Sequence, residues 1–319
     1  MPQNTATPPP SLDSQQILQT ILLETVREQR AKRRWGIFFK LFFIFVIAAL
    51  VIWGSLDTGS DQNGDIHKPH IAIIHINNEI AADADANATD IIAAVDLAAK
   101  DPLTQAIILD INSPGGSPVQ ASYVYNEIRR LKALHPKMAI DSVCVDLCAS
   151  AAYYIASAAD NIYANPTSLV GSIGVLMDEF GFVDVMKKVG VTRRLFTAGE
   201  HKGFLDPFSP LKTTDQHFVQ SLLDADHQIF IHDVKQGRGK RLSSDSIVFS
   251  GLIWNGNTAL SLGLIDGMSS SADLARTQFK NVNCVDYTTQ RNVLDKLIAK
   301  ISSEFFHQVK GTLLTPTFS

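Results

Sequence analysis

Between residues 70 and 143, short β-branched runs alternate with stretches of helical spacing, and this alternation restricts the chain more than any other feature. The run from His70 to Ile76, HIAIIHI, predicts a strand. Residues from Asp90 to Lys100 are rich in Ala and Ile at helical spacing. QAIILDI, from Gln105 to Ile111, predicts a second strand that runs into NSPGGS. Residues from Val119 to Leu134 predict a helix with Val124, Ile128 and Leu131 on one face, and a third strand follows from Met138 to Val143. Strands and helices in this order build stacked β-α units around a sheet, so the expected class is α/β. No tandem repeat is visible. A chain of 319 residues, 45% hydrophobic and 19% charged, can bury the core such a fold needs.

Upstream, residues 35–54 read WGIFFKLFFIFVIAALVIWG, with Lys40 the one charge. At about 1.5 Å per residue this stretch is about as long as a bilayer core is thick, about 30 Å. Trp35 and Trp53 flank it as interfacial aromatics do, and Lys40 can snorkel to the headgroups. Arg27, Arg30, Lys32, Arg33 and Arg34 precede it, and the acidic SLDTGSDQNGD follows. These features predict one transmembrane helix with residues 1–34 in the cytoplasm, a polar linker at 55–69, and a domain at 70–319 outside. Its length and the absence of a small-residue cleavage site argue against a removable signal peptide. Residues 1–14, rich in Pro, Thr, Ser and Gln, predict disorder.

The net charge of −4 leaves no footprint for nucleic acid. The three cysteines, Cys144, Cys148 and Cys284, make no disulfide framework and no zinc set, and read as small buried hydrophobes. No metal or cofactor site is expected.

Four segments can carry chemistry. INSPGG at 111–116 closes a strand ahead of a helix, where Gly115 and Gly116 permit positive φ and can aim amides at a developing oxyanion; the plainer alternative is an ordinary turn. In VDLCASAAYYIASAAD, Ser150 sits where the chain turns into an Ala-rich helix. It is either an N-cap or a nucleophile beside first-turn amides, with the amide of Ala151 as a further donor. None of the nine histidines falls in a triad motif, which leaves Lys202, in TAGEHKGFLDPFSP, as a candidate base. A lysine acts as a base only when neutral, a form favoured by apolar burial, and Phe204, Leu205 and Phe208 are positioned to wall it in. Ser172, between Gly171 and Gly174 in SLVGSIGV, can hold such a lysine in place or simply cap its own turn.

The segments NSPGG, ASAAYYIASAAD, GSIGV, GEHKG and GLIWNGNTALSLGLID, in this order over roughly residues 70–280, resemble the signal peptide peptidase A family of Ser-Lys membrane proteases. The resemblance implies a crotonase-like and Clp-protease-like core preceded by one transmembrane helix. It places the nucleophile at Ser150, the lysine base at Lys202, the lysine-supporting serine at Ser172, and oxyanion donors at Gly115, Gly116 and Ala151. It further implies a bacterial inner-membrane location, remnant signal peptides as apolar substrates, and a homo-oligomeric ring or dome. This chain departs from the family pattern at Ala151 and Ala152, where glycines are usual. If those positions need φ > 0, alanine is strained there. The stretch from Val293 to Val309, with Leu294, Leu297, Ile298, Ile301 and Phe305 at helical spacing, predicts an amphipathic helix for a neighbour, a membrane surface or its own domain.

Three other functions fit parts of the pattern. A stomatin-operon partner type of Ser-Lys protease would cut a specific apolar membrane protein. Acyl-CoA chemistry on the same core conflicts with the outward topology. A catalytically silent scaffold would make Ser150 dispensable.

Overall fold

The structure, a computed structural model, describes residues 33–47, 49 and 64–289. The described residues belong to two units. In the first, residues 33–47 and 49 are helical, with the rings of Trp35 and Phe39 5.6 Å apart. Among the described residues no helix is long and apolar enough to cross a membrane. Residues 48 and 50–54 of the expected span, the N-terminal residues 1–32, most of the 55–69 linker and the expected C-terminal helix at 293–309 lie outside the described residues.

The second unit is a mixed α/β sheet with the strand order β6-β5-β3-β2-β1-β8. Its strands are β1 (His70–Asn77), β2 (Thr104–Ser113), β3 (Ala139–Ala149), β4 (Ile162–Ala164), β5 (Leu169–Gly171), β6 (Ile253–Asn255), β7 (Gly267–Met268) and β8 (Cys284–Asp286). All pairings are parallel except β5 with β6. The three strands expected from sequence are β1, β2 and β3, the last ending six residues further along the chain than expected.

Both faces of the central strands are covered, which is why they read as unbroken apolar runs. Ala72, Ile74 and Ile76 face the main core with Ile107, Leu109 and Ile111, whereas Ile71, Ile73, Ala106 and Ile108 face a smaller cluster closed by Leu274 and Ala275. Helix α1 (Ala88–Lys100) starts at Asn87, whose side chain accepts from the Asp90 N–H at 3.0 Å. Helix α2 (Pro118–Leu134) starts at the Ser117 cap, with Pro118 in its first turn. Its buried residues Ala121, Val124, Tyr125, Ile128 and Leu131 follow the helical period, so a single stripe docks on the main core. Burying an isoleucine such as Ile128 contributes about 1.5–3 kcal/mol.

Strand β3 divides the sheet. Its first half pairs with β4 (Ser142↔Ile162), its second half with β5 (Leu147↔Leu169), and its register against β2 shifts between Ile111 and Ser113. The shift swings the end of β3 away from β4 and delivers Ala149 to Gly171.

Helix α3 (Ala151–Ala156) follows β3 directly and is wholly buried. The long helix α5 (Thr213–Arg238) lies over it, with Phe230 stacked on Tyr154 at 4.7 Å. At its end Arg238, fully buried, forks onto Asp266 at 2.6 and 2.9 Å and donates to the Gly263 carbonyl at 3.0 Å. Helix α6 (Gly256–Ser261) follows β6, and helix α7 (Ser271–Thr277) covers the second face of the central strands through Leu274 and Ala275. The described end of the linker is pinned to β8: the Gly64 N–H donates to the Cys284 carbonyl at 2.8 Å and the Asp65 N–H to Asn283 Oδ1 at 2.7 Å.

Residues 175–212 differ from the rest. They hold one short helix, α4 (Val183–Lys188), and none of their side chains is buried. Leu176, Phe180 and Phe196 stand 82%, 71% and 90% exposed.

Candidate active site

Ser150 links the last residue of β3 to the first of α3, and its backbone takes φ 55° and ψ −122°. A side chain held at positive φ costs on the order of 1–3 kcal/mol and persists only where its surroundings impose it. Here two hydrogen bonds impose it. The Ser150 N–H donates to the Gly171 carbonyl at 2.8 Å, and the Ser150 carbonyl accepts from the Tyr154 N–H at 2.9 Å. The hydroxyl makes no cap bond to the helix that follows, so the N-cap alternative does not describe this serine.

The glycines of INSPGG lie against it. At Gly115, φ is 106°, and a Cβ would meet the Ala149 oxygen and Ser150 Cβ at 2.8 Å and the Ala151 nitrogen at 3.0 Å. At Gly116, with φ 142°, a Cβ would fall 2.2 Å from the Ile80 oxygen. Ile80 straps this turn down. Its N–H donates to the Gly115 carbonyl at 2.8 Å and its carbonyl accepts from the Ser117 N–H at 2.7 Å. The strap is a backbone contact with no side-chain signature, so sequence could not reveal it.

The three expected amide donors are not equivalent. The Gly115 N–H donates to Ser113 Oγ at 3.1 Å within its own turn. Among the described residues no hydrogen bond engages the amides of Gly116 or Ala151. Ala151 and Ala152 are buried and helical, and the positive φ falls on Ser150 instead. The expected strain at the two alanines is therefore absent, because the sharp turn is made one residue earlier.

Helix α3 is fixed from below by its tyrosines. Tyr153 donates to the Leu264 carbonyl at 2.7 Å, and Tyr154 donates to Asp233 Oδ2. Burial pushes both phenols up, which keeps them neutral donors. Burial likewise pushes up the Cys148 thiol, aided by neighbouring Cys144, which disfavours its thiolate form.

Ser172 lies one residue beyond the Ala149↔Gly171 pair. Its φ is 54° and its N–H donates to the Leu252 carbonyl at 2.8 Å. The structure thus brings Ser150, Gly115, Gly116, Ala151 and Ser172 into one neighbourhood.

Lys202 differs. It is exposed on a turn in which its N–H donates to the Gly199 carbonyl at 3.2 Å, and no hydrogen bond or ion pair among the described residues joins it to Ser150 or Ser172. The expected apolar wall is not around it. Phe204 packs edge-on against Phe218 at 5.6 Å, Phe208 stacks on Phe182 at 5.5 Å, and Leu205 takes φ 54°. The physical reason is that residues 175–212 pack shallowly, on one another and on Phe218 of α5, and none of their side chains is buried, so Lys202 faces outward.

A separate cavity of about 700 Å³ is lined by Asp110, Asp146, Asn165, Ser168, Met268 and Asp273, among others, and not by Ser150, Ser172 or Lys202. Among the described residues no group of three or more acidic, His or Cys side chains could hold a metal ion.

The family model for Peptidase family S49 matches residues 133–284, and that for Clp protease matches residues 68–170. The chain is thus similar to S49 peptidases, and a relative of Enterococcus faecium named "Putative signal peptide peptidase SppA" is 26% identical over 189 residues, 59% of this chain and 54% of that protein. The S49 match contains Ser150, Ser172 and Lys202, and the Clp protease match contains Gly115, Gly116 and Ser150. A protein of Methanocaldococcus jannaschii named "Putative protease MJ0651" is 28% identical over 275 residues, 80% of this chain and 88% of that protein. The Arabidopsis thaliana protein "Serine protease SPPA, chloroplastic" is 28% identical over 208 residues, 62% of this chain and 30% of its own length. The Na(+)/H(+) antiporter NhaA of Brucella melitensis biotype 1 is 46% identical over 174 residues, 54% of this chain. This chain spans only 24% of that antiporter's length.

Proposed function

We propose that this chain is a peptidase of the S49, SppA-like type: a membrane-anchored serine endopeptidase in which Ser150 is the nucleophile and Lys202 the general base. The observation that carries the reading is the Ser150 turn: an uncapped hydroxyl at positive φ, beside the unengaged amides of Gly116 and Ala151.

In this reading neutral Lys202 takes the Ser150 Oγ proton as Oγ attacks a peptide carbonyl. Gly116 and Ala151 donate to the resulting oxyanion, while Gly115 shapes the turn that presents them. Collapse breaks the C–N bond, and the Lys202 ammonium returns its proton to the departing amine. Water then attacks the acyl-enzyme, Lys202 accepting its proton, and the acid leaves with Ser150 restored. Ser172 orients the lysine.

Lys202 needs water excluded from it to act so. It shares its segment with the exposed Leu176, Phe180 and Phe196, and an apolar surface of this kind is buried by self-association. We therefore read the working form as a homo-oligomer whose subunits cover residues 175–212. Residues 35–54 act as the membrane anchor, with the basic flank before them in the cytoplasm and the peptidase domain outside. Substrates are apolar peptides at the membrane, remnant signal peptides among them.

The test is to incubate the full chain in detergent with a signal peptide and, separately, with an intact apolar membrane protein, and to read the products by mass spectrometry. Cleavage of the peptide that rises with pH and is lost in Lys202→Ala supports the reading. Cleavage of only the intact protein moves the substrate assignment to the stomatin-operon partner type. Full activity in Lys202→Ala removes the lysine from the mechanism.

A further inference from the structure

Helix α5 places His227, Phe230 and Val234 on one face, at the i, i+3 and i+7 positions. Phe230 and Val234 are buried in the main core, so this face is turned inward and cannot rotate away. His227, one turn earlier, reaches the turn that carries Ser172: its Nε2 lies 3.1 Å from the carbonyl oxygen of Ile173. A carbonyl only accepts, so Nε2 carries the proton.

That turn has two other anchors. The Gly171 carbonyl accepts from Ser150, and the Ser172 N–H donates to Leu252. It also has little freedom to settle elsewhere. Gly171 and Ser172 both sit at positive φ, a Cβ on Gly171 would press on the Trp254 indole at 3.0 Å, and Ile173 is fully buried. His227 is the one side chain among the three anchors, and it comes from an element distant in sequence.

We propose that His227 is a positioning residue of the peptidase site. Through Ile173 it fixes the Gly171–Ser172 turn, and through the Gly171 carbonyl it fixes the backbone of Ser150. This rests on the serine peptidase reading. The Nε2–H bond is present in both the neutral and the charged ring, so the role needs no change of protonation.

The test compares the full chain in detergent with His227→Ala and His227→Gln, whose longer amide offers an N–H near the position of Nε2. The substrate is a fluorogenic apolar peptide. His227→Ala is expected to lower kcat about ten- to hundredfold while KM stays within about twofold, the scale on which small misplacement of a reacting group costs rate. His227→Gln is expected to recover most of the loss. Unchanged kcat in His227→Ala overturns the proposal, as does a glutamine variant no better than alanine, since the loss would then be one of packing. Imidazole ¹⁵N spectra give an independent reading. Protonated Nε2 at His227 in neutral ring form is expected, and an Nδ1–H tautomer overturns the proposal whether or not the peptide is cut. A wild-type chain as inactive as Ser150→Ala would instead overturn the peptidase reading itself, an outcome distinct from an unaffected His227 variant.

Discussion

The Ser150 N–H donates to the Gly171 carbonyl at 2.8 Å, so the residue that follows β3 and the residue before Ser172 are held as one piece of backbone. Strand pairing brings the chain ends together at Ala149 and Gly171, and the positive φ at Ser150, Gly171 and Ser172 turns both segments toward a shared space. The site is a product of backbone conformation before it is a product of side chains, and the first prediction tests that.

Gly115→Ala places a methyl group 2.8 Å from Ser150 Cβ and the Ala149 oxygen, at a φ of 106° that alanine resists. The variant is expected to lose about 1–3 kcal/mol of stability and most peptidase activity, because the group displaced is Ser150 itself. Denaturant unfolding followed by Trp254 fluorescence, alongside peptide hydrolysis, checks both. Wild-type activity would show that Gly115 does not shape the site.

A second prediction concerns pH. Burial works to raise the Asp266 carboxyl, but the Arg238 bond, the Ile162 N–H and the charges of Arg238 and Arg241 together hold it below the usual carboxylate range. A carboxylate depressed in the folded state contributes stability that is present above its unfolded value and lost as pH falls through its folded value. Acid therefore weakens the clamp between α5 and the turn before β7, beginning below about pH 5. Asp266→Asn leaves the buried Arg238 without its counter-charge and is expected to cost about 3 kcal/mol at neutral pH. It should also flatten the acid limb of unfolding midpoint against pH. An acid limb as steep in the variant as in the wild type would assign it to other carboxylates.

Much of this arrangement is legible in the sequence, and the reasons differ from part to part. The strands β1 and β2 announce themselves because both faces of the sheet are covered and their central positions, Ile71–Ile74 and Ala106–Leu109, are all apolar. Helix α2 is readable from the period of Val124, Ile128 and Leu131. The neighbourhood of Ser150, Gly115, Gly116 and Ser172 is foreshadowed by glycines placed beside serines, since positive φ leaves that trace. Two things leave no such trace. The length of β3 depends on a register shift against β2 that lets the strand change neighbours, a property of pairing and not of composition. The surroundings of Lys202 depend on what covers residues 175–212, and the local Phe204 and Phe208 that suggest a wall choose Phe218 and Phe182 as partners.

The bare face of that segment gives a third prediction. Phe196 is 90% exposed, so replacing it cannot disturb packing within the chain. Phe196→Glu is expected to shift the protein in detergent to smaller species by sedimentation. The unfolding midpoint should stay within about 0.5 kcal/mol of the wild type, while activity falls with the loss of assembly. A wild-type chain that sediments as a monomer would remove the oligomer from the account.

The most direct test of the central claim is the hydrolysis of an apolar fluorogenic peptide by the full chain in detergent, wild type against Ser150→Ala. The account predicts turnover by the wild type and a loss of roughly 10³-fold or more in the variant, with an acyl adduct on Ser150 seen by mass spectrometry when a slowly released substrate is used. Equal turnover by the two proteins, or an adduct on any other residue, would contradict it.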